Sequence, residues 1–394
     1  MTTTPHLTLT GARVLRDGAL RPGELSLAEG RITDRPGAAV DLTGYDLMPG
    51  IVDLHGDAFE RHIAPRSSAP FPLIDGLRGT DRDMAAHGVT TAFLAQSWSW
   101  EGGLRGADYA QQVMAAIAAY RSEALCDLRL QIRYETFAID TANALLDALQ
   151  RHDVGYVVFN NHMDEPAQLA EHHPVGLAAW AARAGYGPDD FIALAASLSA
   201  RAAEVPGSVA RLAQAFSAMG VRCGSHDDAE PATRRRFAAL GADICEFPTT
   251  LAAARAAHDL GNPVLMGAPN VARGGSQSGN VAAAAMIDAG LCDALVSDYH
   301  YLAMATAAFR LVDDGLLDLA EAWALISSAP ARIIGLTDRG TLAAGQRGDV
   351  VIVNRATRAV EGTIAGGRIA HLSGEAAVRM ILGSTVARDE RRSA

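Results

Sequence analysis

The sequence predicts an α/β protein: a (β/α)8, TIM-like barrel with a small β-sandwich domain formed from both termini. Three observations carry this. Eight continuous apolar runs in the middle of the chain alternate with Ala-rich helical stretches, as buried parallel strands and their crossover helices require. Both ends of the chain alternate apolar and polar residues instead, the pattern of half-exposed strands. The chain has 394 residues, 49% of them hydrophobic, enough for one large barrel and a small second domain.

Taken in order, residues 6–47 contain "HLTLTGARVL" and "ELSLAEGRIT", punctuated by Gly and Asp, and read as a small antiparallel sheet. The C-terminal "GDVVIVNRATRAVEGTIAGGRIAH" has the same character. The small domain is expected from residues 1–48 plus 339–394, and the barrel from 49–338. The first four barrel strands are "GIVDLHGD" (50–57), "VTTAFLAQS" (89–97), "LRLQIRYET" (128–136) and "VGYVVFNNH" (154–162). The other four are "VRCGSHDD" (221–228), "ADICEFPT" (242–249), "PVLMGAPN" (263–270) and "ALVSDYH" (294–300). Stretches such as "ADYAQQVMAAIAAYRSEAL" supply the helices, and the long connection 163–220 carries an inserted helical segment. "RRR" at 234–236 reads as a solvated helix face.

Composition excludes several functions. The formal net charge is −11, which argues against non-specific binding to nucleic acid but leaves room for a small phosphorylated substrate met by local arginines. The 34 basic residues are all arginine, so neither a Schiff-base lysine nor a carboxylated lysine bridging two metals is available. Cys126, Cys223, Cys245 and Cys292 form no CxxC pair and read mainly as buried, reduced thiols. The N-terminus lacks a basic region followed by an apolar stretch, and no apolar run approaches the ~20 residues of a membrane span. A cytoplasmic protein with no membrane partner is expected, with self-association into a homo-oligomer left open.

Most of the predicted strands end in residues that bind metals or move protons. His55 and Asp57 end the first, Glu135 the third, His162 the fourth and His226 the fifth, followed by Asp227 and Asp228. Asp298 and His300 end the eighth. The C-terminal strand ends of a barrel converge on one mouth, where active sites sit. Residues two apart on a strand share a face, so His55 with Asp57, and Asp298 with His300, are expected to face the axis. Imidazoles with carboxylates suit one or two divalent ions per chain, zinc first and manganese as the alternative. The expected ligands are His55, Asp57, Glu135, His162, His226 and Asp298, with Glu135 as the anionic bridge if two ions bind. Asp298 also fits the catalytic general base. The loop "GAPNVARGGSQSGN" (267–280) follows the seventh strand, a frequent phosphate site in this fold. Asn270, Arg273, Ser276, Ser278 and Asn280 are its candidate substrate contacts, with His62, Arg66, Arg133 and His300 near the same mouth.

"MPGIVDLHGD", "HGVTT" and "SSAPARIIGLTDRGTLAAGQRGDVVIVN" resemble the amidohydrolase superfamily. More narrowly, "LHGDAFERHIAPR", "SHDDA", "EFPTT", "LMGAPNVARGGSQSGN" and "SDYH" resemble its phosphonate-metabolism branch, over nearly the whole chain. The resemblance implies a metal-dependent barrel joined to a small β-sandwich. It also implies hydrolysis of α-D-ribose 1-methylphosphonate 5-triphosphate to the 5-phosphate and pyrophosphate. By motif it places metal and catalytic roles on His55, Asp57, Glu135, His162, His226 and Asp298. The chain departs from the branch at "FNNHMDEP" and at His300, where an aromatic is expected. The superfamily motifs alone also permit hydrolysis of a C–N bond, as in a cyclic amidase, deacetylase or deaminase. A metal-free scaffold barrel is the third reading, and facing buried carboxylates speak against it.

Overall fold

Each of the eight apolar runs contains one strand, and those strands are the staves of a barrel. The computed structural model describes residues 6–66, 69–276 and 279–382. Before the barrel come β1 (Leu7–Arg16), β2 (Ala19–Ala28), β3 (Arg31–Thr33), β4 (Ala38–Asp41) and β5 (Tyr45–Pro49). The barrel strands are β6 (Ile51–Gly56), β7 (Val89–Trp98), β8 (Asp127–Glu135), β9 (Tyr156–Asn160), β10 (Arg222–His226), β11 (Ile244–Glu246), β12 (Val264–Gly267) and β13 (Ala294–Val296). After it come β14 (Val350–Asn354), β15 (Val360–Ala365) and β16 (Arg368–Leu372). Strands β6 to β13 pair in chain order, all parallel.

The barrel closes between its first and last strands through few bonds. Gly56 and Asp298 form a single parallel bridge. Asp298 N donates to His55 O and Asp57 N to Asp298 O, each at 2.9 Å. The buried Asp53 carboxylate adds a side-chain rivet, accepting from Ser297 N at 2.9 Å and Ser297 Oγ at 2.6 Å. A Cβ on Gly56 would lie 2.7 Å from Asp53 Oδ2 and 3.0 Å from Tyr301 Cε1, so this approach needs a glycine.

The two termini meet in one mixed sheet of order β16-β15-β14-β5-β1-β2-β3, with β4 also paired to β1. Its core joins Leu9, Leu25 and Leu47 to Val350, Ile352 and Ile364. The N-terminal part is not wholly antiparallel as expected: β4 and β5 both run parallel to β1. Alternating polarity sets which face a strand buries, not the direction of its neighbour.

Within the long connection, three helices (Glu165–His172, Pro174–Ala184, Pro188–Ser199) precede the barrel helix Val205–Met219. They rest on the loop after β7. Trp100 stacks on Phe191 with centroids 5.5 Å apart, and Trp180 Nε1 donates to Glu101. The "RRR" reading needs correcting. Arg235 and Arg236 are exposed, but Arg234 is fully buried, donating to Ser225 Oγ at 2.9 Å and Ile244 O at 3.2 Å, 3.4 Å from Asp228. Both terminal nitrogens of its guanidinium reach acceptors and only Nε is left without one, so protein replaces most of the solvent it gives up. Cys126, Cys223 and Cys245 are buried and Cys292 is half-buried, all as free thiols. No helix among the described residues is long and apolar enough to cross a membrane.

Asp81 shows how the helices are tied to the barrel. It is fully buried on helix Leu73–Ala86 and accepts from Tyr120 OH (2.9 Å), Leu125 N (2.7 Å) and Cys126 N (3.0 Å). Asp81→Ala would strand three buried donors and should lower unfolding stability by on the order of 3 kcal/mol, read by urea denaturation. A loss under about 0.5 kcal/mol would show that these bonds do not hold the helix in place.

Candidate metal centre and substrate cleft

Glu246, the last residue of β11, is 0% exposed. Its Oε2 lies 2.9 Å from His55 Nδ1 and 2.8 Å from His226 Nδ1. Its Oε1 accepts from Gln131 Nε2 at 2.7 Å and Tyr156 OH at 3.4 Å. Burial alone would raise the pKa of this carboxyl, but the attraction and hydrogen bonds of the two imidazole N–H groups hold it well below the usual carboxylate range. An ionised carboxylate can only accept, so each imidazole donates through Nδ1 and turns Nε2 away from Glu246.

The Nε2 side is where the cleft lies. His55, Asp57, His226 and Asp298 line it, while Glu246 is buried behind them. Two groups have donor atoms within 4.8 Å of one another: His55, His226 and Glu246, and His55, Asp57 and Asp298. Two imidazoles and three carboxylates are the donor chemistry of zinc or manganese, so the residues fit a divalent ion. The second group would hold it within reach of the cleft, with Glu246 orienting the rings from behind. Asp298 is pushed up to about 6, by burial first and then by the charge of Asp57.

Three non-glycine residues adopt left-handed backbone at this mouth: Asp227 (φ 57°), Phe247 (φ 52°) and Asp298 (φ 53°). Each still donates its N–H to the adjacent strand region, to Glu246 O, Leu265 O and His55 O respectively. Such a conformation costs roughly 1–3 kcal/mol per residue and persists where the surroundings determine it. At Phe247 it sets the ring edge-on to both imidazoles, with centroids 5.1 Å from His55 and 5.0 Å from His226.

The other expected ligands stand apart from these groups. Glu135 spends both oxygens on His162, one on its Nδ1 and one on its backbone N–H at 3.1 Å. The His162 ring is 6.4 Å from that of His226. Among the described residues, Glu135 and His162 form a pair beside the donor groups, and Glu135 is not placed as a bridge within either group. Between the pair and the groups sits Arg133, whose Nη2 is 3.3 Å from His226 Nε2 and whose Nη1 is 3.8 Å from Asp57.

Arg133, Asn270, Arg273, Ser276 and Asn280 line the cleft. Asn270 Oδ1 accepts from Ala283 N at 2.9 Å, and Arg273 Nη1 donates to Tyr299 OH at 3.2 Å. Three expected contacts are elsewhere. His62 packs against Asp83 at 3.2 Å, and Arg66 is exposed outside the cleft. His300 is exposed because β13 ends at Val296; the turn at Asp298, with His300 N bonded to Ser297 O, breaks the two-residue period that would have kept both residues on one face. Ser278 lies outside the described residues. Glu246, Asp227, Phe247 and Tyr299 had been given no site role. For Glu246 the signal was present: a carboxylate closing the apolar run "ADICE".

The model of the amidohydrolase family matches residues 74–371. The alpha-D-ribose 1-methylphosphonate 5-triphosphate diphosphatase of Escherichia coli (strain K12) is 32% identical over 365 residues, covering 88% of this chain and 95% of that protein. Among solved structures, the beta-aspartyl dipeptidase of Fervidobacterium islandicum AW-1 aligns with a TM-score of 0.62 at 13% identity, over 94% of this chain and 98% of that one. The N-acetylglucosamine-6-phosphate deacetylase of Pasteurella multocida aligns with a TM-score of 0.61 at 11% identity, over 92% and 99%. At these identities the two structures speak to the fold alone.

Glu246→Gln keeps the size of the side chain and removes its charge. Divalent-metal affinity should fall about 10–100-fold, the usual effect of losing a group that orients ligands, as read by metal titration of the purified protein. Unchanged affinity would show that the imidazoles do not depend on this carboxylate.

Proposed function

The chain belongs to the amidohydrolase family and is a hydrolase, and from that premise we propose that it cleaves a ribosyl triphosphate bearing a phosphonate to the 5-phosphate and pyrophosphate. The observation that carries this reading is a single cleft whose lining joins two kinds of side chain. His55, Asp57, His226 and Asp298 share it with Asn270, Arg273 and Ser276. A guanidinium fork fits two phosphate oxygens at once, which cleavage of a neutral amide does not require. The 32% identity to a diphosphatase supports the same substrate class.

A divalent ion held by His55, Asp57 and Asp298 would supply Lewis acidity and charge neutralisation at the phosphoryl group. The chain's own residues do the rest. Glu246 fixes the imidazoles, and Phe247 walls them on one side. Asp298 takes the proton of the attacking water as the new P–O bond forms at the phosphorus nearest the ribose. The bond from that phosphorus to the bridging oxygen breaks, and its electrons leave with pyrophosphate. Arg273, in the same lining, meets the charge that accumulates on the departing group. This chemistry supports a cytoplasmic enzyme of small phosphorylated metabolites.

Asp298→Asn should lower kcat by ~10² or more, read at saturating metal so that weakened metal binding does not account for the fall. The base must be ionised, and its pKa is raised, so activity should be lost as pH falls through about 6. A bound cation favours the charged form and shifts this limb lower. The limb should vanish in the Asn variant; a variant that retains both near-wild-type turnover and the limb rejects the assignment.

Arg273→Ala should cost on the order of 1.5–3 kcal/mol in kcat/KM toward the triphosphate, with metal content unchanged. Phosphorus-31 NMR of the reaction mixture tests the proposal itself: pyrophosphate and the 5-monophosphate should appear together. If the metal-loaded protein leaves ribosyl triphosphates intact and hydrolyses a cyclic amide or an N-acetyl group, the C–N reading replaces this one.

A further inference from the structure

Arg133 is an unusual neighbour for a metal centre. It arises from β8, and its side chain is largely buried beside the donor groups. With the Asn160 amide oxygen turned toward it, Asn160 accepts from Nε at 3.0 Å and from Nη2 at 3.2 Å. Nη2 is also 3.3 Å from His226 Nε2, and Nη1 is 3.8 Å from Asp57 Oδ2. A guanidinium has only donors and stays charged. Against Arg133 on one side and Glu246 on the other, His226 has one consistent form: Nδ1–H donates to Glu246, and the Nε2 lone pair accepts from Arg133. That lone pair is the one a metal would need.

The charges agree with the geometry. Asp57, Glu246 and Asp298 bring three negative charges to the imidazoles and Arg133 brings one positive charge. Glu60 and Arg105, which also face Asp57, offset each other, so two negative charges remain, which one divalent ion neutralises. Glu135 and His162 compensate each other as a pair. Asp227 is 3.5 Å from His226 Nε2, but its side chain is half exposed and screened by water. A second divalent ion would meet a fixed cation and an occupied lone pair.

We propose that Arg133 stands where a second metal ion would bind, so that this mouth holds one divalent cation, at His55, Asp57 and Asp298. The inference rests on the metal-dependent reading of the site but not on the identity of the substrate. Removing the guanidinium frees His226 Nε2, Asp227 and one oxygen of Asp57 as donors for a further ion.

The test is metal stoichiometry by inductively coupled plasma mass spectrometry after loading with zinc, and separately with manganese, followed by desalting. Wild-type protein should retain one equivalent per chain. Arg133→Met, close in shape and uncharged, should retain two, and Arg133→Lys, which keeps the charge, should stay at one. Thermal melts establish that each variant is folded, and Arg133→Gln serves if the Met variant is not. Zero or two equivalents in the wild type, or one in the folded neutral variants, overturns the proposal. Turnover of the triphosphate is scored separately. A two-metal wild type that releases pyrophosphate ends this inference and leaves the proposed function standing; a one-metal protein inert toward triphosphates does the reverse.

Discussion

A buried carboxylate between two imidazoles governs the mouth of this barrel. Taking Glu246 out of water costs several kcal/mol unless its oxygens are satisfied. His55, His226, Gln131 and Tyr156 supply donors to both of them. The consequences spread outward. Both rings are fixed, both Nε2 atoms face away from the core, and the next residue, Phe247, takes a left-handed turn that sets its ring against them. The site is therefore built from behind, by a group that does not line the cleft.

The bonds that close the barrel are also bonds of the site. The last strand, β13, has only three residues, and the seam relies on Asp298, His55, Asp57, Asp53 and Ser297. His55 and Asp298 are hydrogen-bonded through their backbones, which places an imidazole and a carboxylate side by side without help from a flexible loop. A site carried on strand ends is held more tightly than one carried on loops. The candidate phosphate contacts are of the other kind: Arg273 ends the short helix Ala268–Arg273, and Ser276 lies on the glycine-rich turn after it.

The barrel was legible because parallel strands buried on both faces must be continuously apolar, and polar residues closing such runs stand out. That logic picks out His55, Asp57, His226 and Asp298, which line the cleft. It assigns no role to Glu246, because the run "ADICEFPT" continues past it to Thr249 and hides the carboxylate inside. It misplaced His300 because a two-residue period holds only while the chain stays extended. His62 and Arg66 are close to the first strand in sequence, but the helix Phe59–Ile63 carries His62 toward Asp83. The burial of Arg234 was illegible for a different reason: three consecutive arginines give no sign of which one the helix turns inward. The mixed direction of the terminal sheet was equally hidden, since polarity reports a strand's face and not its partner.

The central claim is that the donors at the strand ends form a divalent-metal centre opening into the cleft. Anomalous diffraction at the zinc edge, from crystals of zinc-loaded protein, tests it most directly. The account predicts a peak about 2.0–2.2 Å from a nitrogen of His55 and from carboxylate oxygens of Asp57 and Asp298. Zinc-loaded crystals with no peak there, or with zinc bound only elsewhere on the surface, would contradict it.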